Sequence, residues 1–470
     1  MQKPTLPLLL GLSGLAALTG CDSKKQKALR PNIIYILADD MGYGALECYG
    51  QKLIKTPNLD RMAAAGIRFT QHYSGTSVSA PSRCSLMTGM HCGHAYIRGN
   101  RQGQPYGQLQ LPDSIITVGE MLKQAGYFTG MIGKWGLGVE NSVGDPNKQG
   151  FDFFYGYYCQ LYAHNSFPPF LWRNGMKENL PNEVVWSPKD DWSRGQGSYA
   201  TKKVNFSNDL FCNEALTFLE INKDTSFFLY LPFTLPHSNG EAPKGEQNEV
   251  PSLGIYANEK WTPEQKAYAA MITRLDSCVG LIIDKLRALD IDSNTLVIFT
   301  SDNGADEPDI FNNNAGFRGI KRDLYEGGTR EPFIAFWPGM IKAGTTSDHV
   351  SAFWDFMPTA CELAGIDAPA TDGISYVNAL LGKEQKKHDF LYWEIYDGKG
   401  DKQALRMDNW KAVINKAGQE NDTLELYDLA TDLYETKNVA NEHPDVVDKM
   451  RKLIDQEHSA SAVFPLKREI

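Results

Sequence analysis

The chain has 470 residues, 42% of them hydrophobic and 22% charged, with a formal net charge of −10. That balance suits a globular protein with one large core, or one large and one small, and argues against wholesale disorder. An acidic surface repels nucleic acid, so no such partner is expected, although a local basic pocket can still hold an anionic substrate.

Residues 1–21 read as a targeting segment. Lys3 gives a positive start, and an apolar run from Leu6 to Leu18 is too short to remain as a membrane-spanning helix. It ends in Leu18-Thr19-Gly20-Cys21, which resembles a bacterial lipobox. The resemblance implies lipidation of Cys21 and a protein anchored to a membrane of the periplasm or cell envelope. A secretory signal with a coincidental cysteine is the alternative, and on either reading the chain leaves the cytoplasm. Residues 22–30 form a polar tether, 31–378 a main domain and 379–470 a C-terminal subdomain. The other seven cysteines (Cys48, Cys84, Cys92, Cys159, Cys212, Cys278 and Cys361) are scattered, odd in number and without CxxC spacing. Neither a disulfide framework nor a zinc site is expected of them, only buried thiols.

From about residue 31 to 375, short apolar runs alternate with helix-like stretches, the pattern of an α/β domain with a largely parallel sheet. Residues 32–38 read as a buried strand, and 59–65 as a helix stopped by Gly66. In 79–89, Pro81 suits a helix's first turn and Gly89 its end. Ser79 then sits just ahead of a helix N-terminus, where free N–H groups favour an anion, with Arg83 on the face below. The competing reading is an N-capping serine on a surface helix. A third helix is expected over 113–125 with Gly126 as its stop. Strands are expected over 127–132, 227–231, 295–300 and 332–337. Between them, Tyr155, Tyr157, Tyr158, Tyr162, Phe167, Phe170 and Trp172 form an aromatic-rich stretch that suits sugar stacking or an ordinary core. After about residue 380 four short strand-like pieces (390–393, 404–407, 410–414, 424–427) precede a helix over 446–457, an α+β subdomain with antiparallel strands.

Four of the main-domain strands run into polar residues: Asp39-Asp40, Lys134, His237 and Asp302-Asn303. Ligands of open α/β sheets bind outside the carboxyl ends of strands, so these clusters are expected to form one site.

Ser79-Ala80-Pro81-Ser82-Arg83, followed by Thr88-Gly89, resembles the type I sulfatase signature C/S-x-P-x-R…T-G in its serine form. Asp39-Asp40-Met41-Gly42-Tyr43-Gly44 and Asp302-Asn303-Gly304 resemble that family's two metal motifs. Gly133-Lys134-Trp135-Gly136-Leu137-Gly138 resembles its G-K-W-H-L-G, with Gly136 where histidine is usual. Pro236-His237 and the block from Phe317-Arg318-Gly319-Ile320-Lys321 to Tyr325-Glu326-Gly327-Gly328-Thr329-Arg330 follow in family order. Asp355-Phe356-Met357-Pro358-Thr359 fits the family's D-x-x-P-T and reads as structural.

The resemblance covers about residues 31–440. It implies an alkaline-phosphatase-like α/β fold, a large mostly parallel sheet sandwiched by helices, with a small antiparallel sheet in the C-terminal subdomain. It further implies that a maturase converts Ser79 to formylglycine, by the oxygen-independent route that serine points to. A plain serine would be left as a stable sulfate ester, whereas an aldehyde hydrate has a second hydroxyl that can expel sulfate. Arg83, Lys134 and Lys321 would hold the sulfuryl oxygens and His237 would serve the leaving group. Arg318 and Arg330 would brace the site or the loops. Asp39, Asp40, Asp302, Asn303 and the Ser79-derived hydroxyl form an oxygen set suited to calcium or magnesium rather than zinc. His164 is the candidate for the role vacated at Gly136, ahead of His91 and His94. The expected substrate is a sulfated carbohydrate, by family analogy a galactose or N-acetylgalactosamine sulfate. A phosphohydrolase using unmodified Ser79 is one alternative, but its two zinc ions need more than the Asp348-His349 pair. A non-catalytic glycan-binding lipoprotein is the other, kept open by Gly136.

Overall fold

The computed structural model describes residues 29–101, 108–187, 196–307, 310–396, 400–419, 422–466 and 469. The apolar leader, Cys21 and most of the polar tether lie outside these residues. In β1 (Asn32–Ala38), Ile33, Tyr35 and Leu37 enter one core layer, while Ile34, Ile36 and Ala38 enter another. All six are fully buried, so the strand needs cover on both faces, as in a helix-covered sheet.

In chain order the main sheet takes β1, β2 (Ile67–Tyr73), β3 (Phe128–Lys134), β4 (Phe153–Tyr157), β5 (Phe170–Arg173) and β6 (Met176–Asn179). A separate hairpin follows, β7 (Glu183–Trp186) with β8 (Ser198–Lys202). The sheet resumes with β9 (Phe227–Pro232), β10 (Thr295–Ser301), β11 (Arg330–Phe336), β12 (Thr345–Ser347) and β13 (Ser351–Ala352). Among the described residues it has 11 strands in the order β12-β2-β11-β10-β1-β9-β3-β4-β5-β6, with β13 beside β2. The central run from β10 to β4 is parallel, as expected. Its flanks are not: β10–β11, β11–β2, β4–β5 and β5–β6 are antiparallel, so the sheet is mixed.

Helices α1 (Pro57–Ala65), α4 (Ser207–Asn222) and α5 (Pro263–Ala288) cover one face, and α2 (Ser79–Thr88), α3 (Val118–Gln124) and α7 (Phe356–Ala364) the other. Helix α3 begins five residues later than expected, because Thr117 caps it. The Thr117 hydroxyl accepts the Glu120 N–H at 3.2 Å, and the Glu120 carboxylate accepts the Thr117 N–H at 2.8 Å. The short α6 (Glu326–Thr329) leads into β11, and α8 (Val377–Leu380) packs into the main core.

The C-terminal part holds an antiparallel sheet in the order β14 (Leu391–Ile395), β15 (Lys402–Met407), β16 (Trp410–Ile414), β17 (Leu424–Asp428), closed by α9 (Pro444–Glu457). It shares a core with the main body: the Trp393 ring lies 5.3 Å from Tyr73 and 6.0 Å from Trp354, centroid to centroid. The seven described cysteines are free thiols, six of them buried. Among the described residues no helix is long and apolar enough to cross a membrane.

Candidate active site

The parallel register sets the site. Ala38 of β1 lies opposite Ser301 of β10, so Asp39-Asp40 and Asp302-Asn303 leave the sheet side by side. The Asp40 N–H donates to Asp302 Oδ1 at 3.1 Å, and Asn303 Nδ2 donates to Asp40 Oδ1 at 2.6 Å. Lys134 is the last residue of β3, and His237 follows β9 by five residues.

Helix α2 brings Ser79 to these strand ends. Ser79 is the first helical residue and Val78 its N-cap, and every residue of the helix is buried, so the surface-cap reading fails. Ser79 Oγ donates to Asp39 Oδ1 at 3.2 Å and lies 3.5 Å from Asn303 Oδ1. Ser82 clamps the helix to β10: its hydroxyl donates to the Asp302 carbonyl at 2.6 Å and accepts the Gly75 N–H at 3.1 Å. Arg83, fully buried, donates from Nε and Nη2 to Asp302 Oδ2 at 3.1 and 2.8 Å and from Nη1 to the Lys134 carbonyl at 2.7 Å.

Two lysines complete the ring. Lys134 Nζ donates to Asp39 Oδ2 at 2.6 Å, and Lys321 Nζ to Asp40 Oδ2 at 2.6 Å. His237 Nε2 stands 3.2 Å from Lys321 Nζ and 3.4 Å from Asp40 Oδ2. Its Nδ1 pairs with the Ser238 carbonyl at 2.7 Å, which fixes the proton on Nδ1 and leaves Nε2 facing the site. Three carboxylates thus face three cations. Burial works to raise the Asp39 carboxyl, but Lys134, His237 and Arg83 outweigh it and hold it far below the usual range. Burial raises Asp40 despite Lys321, and with the nearby Asp39 charge it pushes Asp302 up to about 6. Burial and then Lys321 hold His237 well below an ordinary histidine.

The donor set fits a divalent cation. Carboxylate oxygens of Asp39 and Asp40, the Asn303 amide and the Ser79 oxygen converge, and Asp39, Asp40 and His237 form a cluster whose ligand atoms lie within 4.8 Å of one another. Both oxygens of each carboxylate are engaged by the chain's own donors, and Asp302 accepts three hydrogen bonds, two from Arg83 and one from the Asp40 N–H.

The remaining expected residues separate. His164 joins the site only through His237: the rings stack at 4.5 Å and 22°, and His164 Nδ1 pairs with Glu241 Oε2 at 3.0 Å. Glu241 had no signal in the sequence, being 77 residues away in a loop. His91 and His94 pair instead with Glu457 and Asp372. Arg318 bonds the Tyr427 hydroxyl of β17 at 2.6 Å and Arg330 bonds Glu326 of α6 at 3.1 Å, so both tie elements together around the site. Asp355 is structural, accepting the Ala352 N–H at 2.8 Å. Five of the seven aromatic residues (Tyr155, Tyr157, Tyr158, Tyr162, Phe167) are buried and form core, not a stacking platform. His349 packs edge-on against Phe69, away from the strand ends.

Gly136 has φ +80°, a left-handed conformation that favours glycine over any residue with a side chain. The departure at this position is therefore built into the backbone.

The sulfatase family model matches residues 31–366, and that of the C-terminal region of N-sulphoglucosamine sulphohydrolase matches residues 317–460. An N-acetylgalactosamine-6-O-sulfatase of Bacteroides thetaiotaomicron is 30% identical over 97% of this chain and 99% of its own. The N-acetylgalactosamine-6-sulfatase of Homo sapiens is 33% identical over 77% of this chain and 68% of its own. The crystal structure of Ps i-CgsB in complex with k-i-k-neocarrahexaose is similar with a TM-score of 0.76 and 27% identity, covering 93% of this chain and 96% of that one.

Proposed function

The chain belongs to the sulfatase family, and from that premise we propose which of its residues remove sulfate and from what. It is a sulfuric ester hydrolase acting on sulfated carbohydrate through a formylglycine and metal site. The observation that carries this reading is the seat of Ser79, whose Oγ opens a wholly buried helix 3.2 Å from a carboxylate that also holds Lys134.

Formylglycine at residue 79 supplies a hydrated aldehyde, one hydroxyl as nucleophile and the other as the way to release sulfate. A divalent ion, calcium or else magnesium, would be held by Asp39, Asp40, Asp302, Asn303 and the oxygen of residue 79, and supplies Lewis acidity there. The chain's own groups do the rest. Arg83 holds residue 79 against Asp302 from one turn below. Lys134 and Lys321 exchange their carboxylate partners for sulfuryl oxygens and neutralise the charge that builds there. His237, its ring fixed through Nδ1, faces the departing sugar oxygen with Nε2 and serves that oxygen once Nε2 has taken up a proton, for which the neighbouring Lys321 ammonium at 3.2 Å is a donor. His164, stacked on His237 and held by Glu241, keeps that ring in plane.

For substrate we favour a sulfate ester of galactose or N-acetylgalactosamine, supported by the names of the relatives above. We further assign residues 1–21 as a lipoprotein signal with Cys21 lipidated, 22–30 as the tether, 31–378 as the catalytic domain and 379–470 as the accessory subdomain. The protein then works in the periplasm or cell envelope after modification by a formylglycine-generating maturase. Free sulfate measured over a panel of defined monosulfated sugars tests the substrate: release from 6- or 4-sulfated galacto-sugars supports it, and release confined to gluco-configured sugars contradicts it. Radiolabelled palmitate incorporated by the parent and lost in Cys21→Ala tests the anchor.

A further inference from the structure

Gly136 leaves a gap beside the sulfate-binding lysine, and another side chain lies in it. A Cβ built on Gly136 would stand 2.9 Å from Gln160 Nε2, 3.0 Å from Gln160 Cγ and 3.2 Å from its Cδ. Gln160 therefore occupies the space into which a side chain at residue 136 would grow.

The backbone holds the two residues together. Lys134 pairs with Tyr157 in the β3–β4 register, and the ladder continues beyond the strands. The Trp135 N–H donates to the Tyr157 carbonyl at 2.9 Å and the Gly136 N–H to the Tyr158 carbonyl at 3.0 Å. The Gln160 N–H is fixed by Gln108 Oε1 at 3.2 Å. Gln160 thus stands at the carboxyl end of β4, on the same rim as Lys134, whose Nζ reaches Asp39 and whose carbonyl receives Arg83.

Its amide nitrogen is the unusual feature. Nε2 is shielded from solvent and has no hydrogen-bond acceptor among the described residues. A buried donor without a partner is costly, and a protein keeps one where a ligand supplies the acceptor.

We propose that Gln160 is a substrate-contacting residue, donating its Nε2 N–H to a sulfuryl oxygen from the position that Gly136 leaves open. This rests on the sulfatase reading above. An amide donates without titrating, so Gln160 holds the oxyanion and takes no part in proton transfer. The contact serves the bound ester and the sulfate product alike, because both present the same oxygens.

The test compares Gln160→Met, close in shape but without a donor, with the parent, both carrying formylglycine as confirmed by mass spectrometry. Turnover of an aryl sulfate and the inhibition constant of inorganic sulfate are measured for each, with thermal melting as the check on folding. The expected result is a loss of about tenfold to a hundredfold in kcat/KM, a rise of similar size in the sulfate inhibition constant and an unchanged pH profile. Values within twofold of the parent, or a loss of turnover with sulfate inhibition unchanged, overturn the proposal. If Gln160→Met melts early, Gln160→Glu keeps the polar chain and places a carboxylate against sulfate. Its sulfate inhibition constant must then rise, and an unchanged constant again overturns the proposal. A parent that carries formylglycine yet releases no sulfate overturns the underlying reading instead, and the proposal with it.

Discussion

Glu326 joins the main body to the small sheet, and its charge can be removed without touching residue 79. Glu326 Oε1 accepts from Lys411 Nζ at 2.9 Å, and Oε2 accepts from Arg330 Nη1 at 3.1 Å and from the Tyr73 hydroxyl at 2.8 Å. The Glu326 and Lys411 side chains are both 0% exposed. Glu326→Ala leaves buried cations without their carboxylate, a change that costs about 3–5 kcal/mol. Titration gives an independent figure. Burial works to raise the carboxyl, but Lys411, Arg330 and Arg406 outweigh it and set it at about 2, against 4.5 for a free glutamate. That difference amounts to about 3 kcal/mol. Because the folded pKa is the lower one, this stabilisation is present above about pH 4.5 and is lost as pH falls toward 2. Glu435, whose carboxylate accepts the Glu326 N–H, is pushed up to about 8 by burial. Below pH 4.5 it is protonated in both states and adds no slope in that window. Urea unfolding at pH 7 and at pH 3, followed by tryptophan fluorescence, reads the effect, with Lys411 Nζ 4.9 Å from the Trp393 ring. The parent should exceed Glu326→Ala by about 3–5 kcal/mol at pH 7, and the gap should narrow at pH 3. A gap under about 1 kcal/mol, or one that does not change with pH, would refute the reasoning.

At Gly136 the left-handed backbone makes Gly136→His destabilising by about 1–2 kcal/mol in urea, with no gain in turnover; a stabilised or faster variant contradicts this. Dialysis against a chelator should reduce sulfate release to background, and calcium or magnesium should restore it where zinc does not; activity indifferent to the chelator counts against the metal set. His237→Ala should lose about a hundredfold to ten-thousandfold in turnover on a sugar sulfate and much less on an aryl sulfate with a good leaving group. His164→Ala should lose less on both, since His164 reaches the site only by stacking on His237.

Much of this fold was legible because apolar runs and strand-end residues coincide. Residues 32–38, 227–231 and 295–300 are buried on both faces, and Asp39-Asp40 and Asp302-Asn303 mark where the runs stop. Strand β2 escaped notice because Arg68, Thr70 and Gln71 interrupt its apolar pattern; it lies between β11 and β12, where one face is only partly covered. The antiparallel wing of β5 and β6 is four residues a strand and largely half-buried or exposed, so its pattern is weaker still. In the site, Asp39, Asp40, Lys134, His237, Asp302 and Asn303 were legible because a polar group at the end of an apolar run is costly unless it meets a partner. Ser79, Arg83 and Lys321 were legible instead through motifs that resemble the family's. Glu241 and Gln160 were not. Each lies in a loop whose path depends on neighbours distant in sequence, Gln160 held by Gln108 and Glu241 paired with His164. Gly136 could be seen as a departure, but its cause is a backbone angle that spacing does not encode.

The most direct test joins two readings on one sample of the protein produced with an oxygen-independent maturase. Mass spectrometry of the tryptic peptide 69–83 reports the state of residue 79, and sulfate release from a sulfated sugar is assayed beside it. A peptide lighter by one H2, with sulfate release that rises in proportion to its fraction and vanishes in Ser79→Ala, is the predicted result. An intact Ser79 in a protein that releases sulfate at the same rate, or a converted residue that releases none, would contradict the account.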